Sequence, residues 1–329
     1  ISAKRGIFVK IATVLEQISE CRAMIFDKTG TLTYGRPVLS STVYYNNFSP
    51  KEALALAATL EKYSKHPLSA PIIEAAQKEG VSLGEATEIC EKPGEGLIGK
   101  MDHHQVAIVG RSGLSKTEIL SQLPEKMGLE CIVLIDNKLA AHFCFHDTPR
   151  KDSRAFIAHL GPKHHIRRIL IVSGDREAEV RYLAEQIGVQ EIYAEKTPEE
   201  KVQIVERENK EQKTIYLGDG INDAPALAVS TVGLAFGQNS DITAEAADAV
   251  VLDSSLERVD EFLHISKRMR DIALQSALGG MALSILGMMI ACFGYLPPLI
   301  GAISQEVIDV VVILNALRVA FPKKKLIDY

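Results

Sequence analysis

The chain has 329 residues, 47% of them hydrophobic and 24% charged, and its formal net charge is -5. These values indicate a folded protein of two or three domains and give no basic surface for nucleic acid. Its five cysteines form no C-x-x-C pair, which argues against a disulfide framework or a zinc knuckle.

The first predicted strand ends in a loop rich in glycine and hydroxyl groups. Residues 1–22 begin with Ile rather than Met, and we expect a stalk helix that continues from an upstream span absent from this fragment. Residues 22–26 (RAMIF) are predicted to form a short buried strand. The following DKTGTLT at 27–33 suits a loop at the carboxyl end of a strand, where open α/β sheets bind ligands.

An insertion is predicted between the first strand and the rest of its sheet. Residues 50–79 begin with a Pro and continue as an Ala/Leu run, which indicates helix. Residues 86–145 alternate short apolar runs with glycine-rich turns, which indicates strands. We place this insertion at 40–142, and the domain around it at 23–39 and 143–265.

Strands and helices alternate after residue 147. The predicted strands are 168–172, 192–194 and 214–217, and the predicted helices are 151–159, 178–187 and 198–209. This alternation is typical of a parallel sheet wound with helices. The predicted fold class is therefore α/β, a parallel sheet with helices on both faces, interrupted by an α+β insertion.

Three of these strands end in loops whose side chains suit phosphoryl transfer. The loops contain Asp27, Ser173 and Asp219, and such loops converge at one edge of a parallel sheet. Carboxylates suit Mg²⁺, and hydroxyl and N–H groups suit a phosphoryl group. Lys201, near the start of a helix, is placed to neutralise phosphate charge. A lone Asp would be read as a turn or cap residue, but three spaced loops predict a site with a carboxylate nucleophile.

Two apolar stretches near the carboxyl end, 272–295 and 296–320, are each long enough to cross a bilayer. Pro297 and Pro298, at the start of the second stretch, separate the two and suit a tight turn. The flanking basic residues are Lys267, Arg268 and Arg270 on one side and Lys323, Lys324 and Lys325 on the other. They place both ends in the cytoplasm, and we assign 266–329 to two transmembrane helices and a tail. The alternative is a buried helical hairpin in a soluble protein, which long all-round apolar helices disfavour.

Two long motifs resemble those of P-type ATPases, whose core has the haloacid dehalogenase fold. DKTGTLT at 27–33 resembles their phosphorylation motif, and GDGINDAP at 218–225 resembles their hinge motif. The resemblance implies that ATP phosphorylates Asp27 with Mg²⁺ as cofactor. The catalytic residues it implies are Asp27, Thr29, Ser173, Lys201, Asp219, Asn222 and Asp223. Of these, the implied Mg²⁺ ligands are Asp27, Thr29, Asp219 and Asp223.

The insertion carries motifs similar to those of heavy-metal, or type IB, pumps. SKHPL at 64–68 resembles their His-Pro motif, and GEGLIG at 94–99 resembles the glycine loop beside the nucleotide, although alone it is a weak signal. The implied nucleotide-site residues are Glu61, His66, Gly94, Gly96, Asp147, Arg150, Gly174 and Asp175. Arg111 stands where the family commonly has Asn, and its guanidinium could pair with a phosphate instead.

Thr29 bears on mechanism. Phosphatases of the superfamily carry a general-acid Asp at this position, and Thr cannot serve as an acid at neutral pH. We therefore expect a phosphoenzyme that persists, which suits a pump. Two alternatives remain: a membrane-anchored phosphatase of the same superfamily, and a non-catalytic scaffold left from a truncated pump.

The second apolar stretch contains Glu306 and Asp309, which are three residues apart and share a helix face. Ionisable groups within a span are costly and usually functional, so they are candidate ligands for the transported cation. The alternative is a hydrogen-bond network between spans, which we favour for Gln305 and Asn315. The expected partners are ATP, a transition-metal cation and the lipid bilayer. We expect a monomeric pump in the plasma (inner) membrane with cytoplasmic catalytic domains, represented here without its actuator domain and earlier spans.

Overall fold

The computed structural model describes residues 2–92, 94, 96–101, 103–114, 117–124, 128–219, 221–237, 245–252 and 255–321. Glu95 and Gly220 of the two glycine-containing motifs lie outside the described residues, as do Lys323, Lys324 and Lys325. The chain divides into two compact units. The first unit comprises 1–32, 151–174 and 184–329, and the second comprises 33–150 and 175–183.

The described strands are β1 (Ile7–Val9), β2 (Ala23–Phe26), β3 (Thr33–Tyr44), β4 (Thr87–Lys92), β5 (Gly96–Met101), β6 (His104–Val109), β7 (Leu129–Ile135), β8 (Lys138–Pro149), β9 (Arg168–Val172), β10 (Glu191–Tyr193), β11 (Thr214–Gly218), β12 (Val232–Phe236) and β13 (Ala249–Val251). The described α-helices are α1 (Thr13–Gln17), α2 (Pro50–Glu61), α3 (Ser69–Lys78), α4 (Thr117–Leu120), α5 (Ser153–His164), α6 (Glu177–Ile187), α7 (Pro198–Glu211), α8 (Ala224–Val229), α9 (Leu256–Cys292) and α10 (Pro298–Leu317).

The first unit is built on a seven-stranded sheet in the order β1-β13-β12-β11-β2-β9-β10. All neighbours are parallel except β1 and β13. Every residue of β2, β11 and β12 is buried, as expected for parallel strands covered on both faces. The α/β fold class with a parallel sheet is therefore confirmed, and β2 lies at its centre between β9 and β11.

The prediction of a stalk helix over 1–22 is wrong. The segment contains two short 3-10 turns, strand β1 and only five residues of α-helix. Gly6 has a φ of 72° and ends the first turn, after which Ile7 pairs with Val251 at the edge of the sheet. Ile7 is fully buried, because an Ile-Phe-Val run gains more as a β-strand against this edge than as an exposed helix.

The second unit is a six-stranded antiparallel sheet in the order β3-β8-β7-β6-β5-β4, with α2 and α3 supplying the other side of its core. Leu60 and Ile72 from the helices pack in one cluster with Phe143 and Phe145 from the sheet. The unit is wider than the predicted insertion of 40–142 because β3 and β8 pair from Thr33 opposite Pro149 to Tyr44 opposite Ala141. The helix predicted over 50–79 is interrupted between α2 and α3 by the turn that contains Pro67.

Helix α5 was predicted over 151–159 but continues to His164 through Pro162. A proline removes one backbone hydrogen bond from a helix, yet Leu160 and His164 are buried on this last stretch and hold it in place. The helix ends at His165, which has a φ of 60°.

Within the part of the chain that the structure describes, two helices are long and apolar enough to cross a membrane by length and composition: α9, and residues Pro298–Ala320, which include α10. Only 11% and 0% of the most apolar 18-residue stretch of each helix is buried. Helix α9 has 37 residues and begins at Leu256, well before the apolar stretch. The turn between the helices begins at Gly294, with a φ of 77°, and Pro298 starts α10 rather than lying in the turn.

Hydrogen bonds join α9 and α10. Asn315 Nδ2 donates to Ser276 Oγ at 2.9 Å, and Ser284 Oγ donates to Gln305 Oε1 at 3.1 Å. The packing role favoured for Asn315 and Gln305 agrees with these contacts.

Candidate active site

Asp27 follows the central strand β2 and lies at the carboxyl edge of the sheet. Phe26 is opposite both Leu217 of β11 and Ile171 of β9, so the loops after these three strands leave the same edge. The Asp27 N–H donates to the Leu217 carbonyl at 2.9 Å. The parallel register therefore produces the convergence of loops that the sequence pattern predicted.

Three carboxylates meet at this edge. One oxygen from each of Asp27, Asp219 and Asp223 lies within 4.8 Å of the others. Asp27 and Asp223 are buried, whereas Asp219 is half-buried. Hard divalent cations such as Mg²⁺ prefer carboxylate oxygens, so this donor set fits the Mg²⁺ that the resemblance implies.

Lys201 connects two of the carboxylates. Its Nζ donates to Asp27 Oδ1 at 2.6 Å and to Asp223 Oδ1 at 2.7 Å. The start of α7 is fixed by a capping box, in which Thr197 Oγ1 accepts from the Glu200 N–H and the Glu200 carboxylate accepts from the Thr197 N–H. The local sequence Thr-Pro-Glu-Glu therefore sets the position of Lys201 on the first turn of the helix.

Negative charge is in excess at the site. Burial, and then the neighbouring Asp223, raise the pKa of Asp27 to about 7, while Lys201 opposes the rise. Burial alone would lower the pKa of Lys201, but Asp27 and Asp223 raise it above its ordinary value. An additional cation would favour the charged form of Asp27. The electrostatics thus suit a divalent metal beside the ammonium group.

Close backbone approach requires glycine at one position. Gly30 has a φ of +75°, and a Cβ there would lie 1.7 Å from Asp219 Oδ2. The absence of a side chain therefore lets the loop that follows β2 lie directly against the Asp219 carboxylate. In the same loop the Thr29 N–H donates to Asp27 Oδ2 at 3.1 Å.

The remaining implied catalytic residues, Ser173 and Asn222, and the implied nucleotide-site residues Gly174 and Asp175 differ in exposure. Ser173 is buried at the end of β9, where its N–H donates to the Tyr193 carbonyl at 2.9 Å. Asn222 is exposed on the 3-10 turn Ile221–Asp223. Gly174 is exposed after Ser173, and Asp175 is half-buried and belongs to the second unit. The catalytic or binding roles of these residues stay predictions.

Tyr216 was missed by the sequence reasoning. Its hydroxyl donates to Asp223 Oδ1 at 2.9 Å, and the side chain is fully buried in β11. Within a run of apolar residues, a tyrosine gives no signal that its hydroxyl contacts a site. It shares the carboxylate oxygen that Lys201 also contacts, and so helps to orient Asp223.

In the second unit, Glu61 and His66 lie near the break between α2 and α3. Glu61 is buried, accepts a hydrogen bond from Ser69 Oγ, and has its pKa raised chiefly by burial. His66 is exposed, and its Nδ1 accepts from the Leu68 N–H at 3.2 Å. In the neutral ring the proton then lies on Nε2, which becomes a donor.

The two glycines of the predicted nucleotide loop differ in what they require. A Cβ on Gly96, at a φ of +102°, would lie 2.3 Å from the Ile108 carbonyl oxygen. A Cβ on Gly94, at a φ of +81°, would meet nothing within 4 Å. Gly96 is therefore needed for sheet packing, whereas the space beside Gly94 is open.

Asp147 and Arg150 secure the end of strands β3 and β8. Asp147 is buried and accepts hydrogen bonds from Thr33 Oγ1 and from the Arg36 N–H. The Arg150 guanidinium lies 5.1 Å from the centre of the Tyr34 ring. These contacts give both residues a structural role, and their part in nucleotide binding stays a prediction.

Arg111 is engaged by a carboxylate. Its Nε and Nη2 donate to the two oxygens of Glu130 at 2.8 and 3.0 Å, and His142 Nε2 lies 2.8 Å from Glu130 Oε2. Burial would raise the pKa of Glu130, but Arg111 and His142 together hold it below the ordinary value. The guanidinium that replaces the usual Asn therefore pairs with Glu130 in this structure.

The fold and the site define a known class. The family model for haloacid dehalogenase-like hydrolases matches residues 21–230. The chain belongs to this family.

Within it, the resemblance to heavy-metal P-type ATPases is confirmed. The chain is 31% identical over 327 residues to the copper-exporting P-type ATPase B of Archaeoglobus fulgidus, covering 96% of this chain and 47% of that protein. It is 29% identical over 328 residues to the zinc-exporting P-type ATPase of Mycobacterium marinum, covering 96% and 45%. The chain spans about half the length of the curated relatives it matches.

Two solved structures of heavy-metal ATPases are also similar to this chain. A zinc-transporting PIB-type ATPase in the E2.Pi state matches with a TM-score of 0.84 and 26% identity, over 97% of this chain and 53% of that chain. The catalytic domain of the CPx-ATPase CopB-B matches with a TM-score of 0.66 and 30% identity, over 79% of this chain and 96% of that domain.

Proposed function

We propose that this chain is the catalytic part of an ATP-driven heavy-metal pump and that ATP phosphorylates Asp27. The observation that carries the proposal is the buried contact of Lys201 Nζ with Asp27 Oδ1 at 2.6 Å, beside the carboxylates of Asp219 and Asp223. Phosphoryl transfer to a carboxylate requires a nucleophile, a positive charge and a site for a divalent cation. These groups provide all three at one edge of the sheet.

Asp27 acts as the nucleophile in its ionised form. An oxygen of its carboxylate attacks the terminal phosphorus of ATP, the bond from that phosphorus to the bridging oxygen breaks, and ADP leaves. Lys201 neutralises charge on the transferring group and keeps Asp27 ionised. Asp27, Thr29 through its carbonyl, Asp219 and Asp223 are the proposed ligands of Mg²⁺, which when bound supplies further charge neutralisation.

The phosphoenzyme is expected to be long-lived. A second carboxyl two residues after the nucleophile would serve as general acid in a phosphatase, and Thr29 holds that position. This favours a pump over the alternative of a membrane-anchored phosphatase. We further propose that Glu61, His66, Gly94 and Gly96 bind the nucleotide.

The transported ion is proposed to be a transition-metal cation, because the relatives are named as copper and zinc exporters. Glu306 and Asp309 on α10 are exposed, and Asp309 Oδ1 accepts from Gln305 Nε2 at 3.1 Å. We propose these two carboxylates as cation ligands within a plasma membrane, with the sheet-containing units in the cytoplasm and the pump working as a monomer.

The test is phosphorylation of the full chain in detergent with γ-labelled ATP and Mg²⁺. We expect an acid-stable, hydroxylamine-sensitive label that Asp27→Asn abolishes. Asp271→Asn, an exposed carboxylate on α9, is the matched control and should keep the label. Label that survives Asp27→Asn contradicts the proposal. Rapid phosphate release from small esters supports the phosphatase, and the absence of both label and nucleotide binding supports a scaffold.

A further inference from the structure

Three imidazoles and one carboxylate meet between α5 and the first part of α9, in the first unit. The four residues are His159, His164, Asp260 and His264, here called the histidine cluster. None of them takes part in the phosphoryl-transfer site described above. His164 lies four residues before β9, whereas Ser173 follows the other end of that strand. Five strand residues span about 17 Å, so the cluster lies toward the opposite edge of the sheet.

The donor atoms of the cluster converge on the Asp260 carboxylate. His164 Nε2 is 2.7 Å and His159 Nε2 is 3.2 Å from Asp260 Oδ1, while His264 Nε2 is 3.6 Å from Asp260 Oδ2. One ligand atom from each of the four residues lies within 4.8 Å of the others. All three imidazole rings therefore turn their Nε2 atoms toward the Asp260 carboxylate.

The cluster is also closed to solvent. The side chain of Asp260 is 0% exposed, and those of His164, His159 and His264 are 4%, 6% and 18% exposed. Asp260 Oδ2 is buried and accepts no hydrogen bond from the described residues. A buried carboxylate oxygen without a hydrogen-bond donor costs free energy. One protonated imidazole would provide a donor for only one of the two Asp260 oxygens. Charging all three imidazoles would bury an excess of positive charge.

The distances match those of a tetrahedral metal site. Bonds of about 2.0–2.1 Å from Zn²⁺ to imidazole nitrogen and carboxylate oxygen place neighbouring ligand atoms about 3.3 Å apart. The two separations from Asp260 Oδ1 are 2.7 and 3.2 Å, and the separation of His264 Nε2 from Asp260 Oδ2 is 3.6 Å, so they lie on both sides of that value. Asp260 and His264 are four residues apart on α9, and such a pair shares one helix face.

We propose that the histidine cluster binds a transition-metal dication of borderline softness, with Zn²⁺ as the representative ion. The ligands are the Nε2 atoms of His159, His164 and His264 and one carboxylate oxygen of Asp260. Imidazole and carboxylate ligands in a closed four-coordinate set are typical of a structural site. The bound ion links α5 to α9, the helix that continues into the first apolar span. This site is separate from the Mg²⁺ carboxylates and from Glu306 and Asp309, and it does not depend on the proposed transport function.

The proposal is tested with Co²⁺ as a spectroscopic probe of the full chain in detergent, with excess Mg²⁺ present to occupy the Asp27 carboxylates. We expect one equivalent of Co²⁺ to give the strong visible absorption of tetrahedral coordination, without a near-ultraviolet thiolate band, and Zn²⁺ to displace it. His164→Gln should weaken binding by at least about tenfold. The matched control is His165→Asn, because His165 is the adjacent exposed histidine and Asn tolerates its positive φ.

A second measurement covers variants that fold poorly. The Tm of the wild-type chain in Zn²⁺ should exceed its Tm in chelator by about 5 °C or more when the ion is at a hundredfold excess over Kd. His264→Gln, the most exposed member of the cluster, should lose this difference and remain folded in chelator. The proposal is overturned if the wild-type chain shows neither the absorption nor the Tm difference. It is equally overturned if His165→Asn abolishes binding while His164→Gln and His264→Gln retain it, or if a thiolate band appears.

Discussion

Lys201 Nζ lies 2.6 Å from Asp27 Oδ1, and the two side chains are only 7% and 9% exposed. A buried ion pair of this kind is weak evidence for stability, because removing both charges from water costs about as much as their attraction returns. The importance of this ion pair lies instead in its contact with Asp27, the proposed nucleophile. The ammonium group favours the ionised form of Asp27, which is the form in which we propose that Asp27 attacks phosphorus.

Lys201→Met is expected to slow phosphorylation by about a hundredfold or more, because one preorganised cation is lost from the transferring group. The initial rate of labelling by γ-labelled ATP measures this. Lys210→Met on the exposed side of the same helix should label at the wild-type rate. Equal rates in the two variants would remove Lys201 from the proposed chemistry.

Asp27 predicts a pH dependence of stability in the absence of divalent metal. Its pKa in the folded state is raised to about 7 from an ordinary 3.8, so the folded protein holds a proton that the unfolded chain loses. Stability should therefore fall as pH rises from about 4 to 7. Asp27→Asn lacks this loss and should be more stable than wild type at pH 8, by up to about 4 kcal/mol.

The measurement for this prediction is the Tm of both chains from pH 4 to 8 in chelator and in Mg²⁺. The difference between the chains should disappear near pH 4 and shrink in Mg²⁺, because the metal favours the ionised carboxylate. Parallel Tm curves at every pH would contradict the raised pKa.

Gly30→Ala should abolish Mg²⁺-dependent phosphorylation, since its Cβ would lie 1.7 Å from Asp219 Oδ2. Gly80 provides a control with the same backbone strain but without a close neighbour, because its φ is +65° and nothing lies within 4 Å of a Cβ there. Gly80→Ala should cost about 1 kcal/mol of stability and leave labelling intact. Labelling and thermal unfolding of both variants distinguish the effect of the positive φ from the effect of the clash with Asp219.

His66→Ala is expected to raise the Kd for ATP by about tenfold, the equivalent of one hydrogen bond at an exposed site. The labelling rate at saturating ATP should stay close to wild type, because the role proposed for His66 is to bind the nucleotide and not to transfer the phosphoryl group. Lys65→Ala alters the neighbouring exposed residue and is the control. A fall in the saturated rate without a change in Kd would speak against a binding role.

The sequence was most informative for residues whose position is determined by the strand that precedes them. Asp27, Ser173 and Asp219 each follow a buried apolar run, and parallel pairing then places them at one edge whatever their separation along the chain. Their convergence could be predicted because strand direction, rather than side-chain detail, produces it.

Other features depend on tertiary packing and could not be predicted from local sequence patterns. Tyr216 occupies a core position whose hydroxyl reaches Asp223 only because of the geometry of β11 and the following turn. The histidine cluster was missed because α5 was expected to end at His159, whereas the helix continues through Pro162 to His164. The apolar pattern likewise marked α9 only from residue 272, which left Asp260 outside it. The start of the chain was misassigned because Ile7 pairs with Val251, far along the sequence.

Helix α9 is continuous for 37 residues, which corresponds to about 55 Å of helix. Its base, from Leu256 to Ile265, is buried in the first unit, and its far end is exposed. Proline is absent from it, so there is no ring to hinge the helix. A tilt of about 5° at the base would then displace the tip by about 5 Å. If the helix moves as one body, a small rearrangement at its base becomes a movement about as large as one helical turn at its far end.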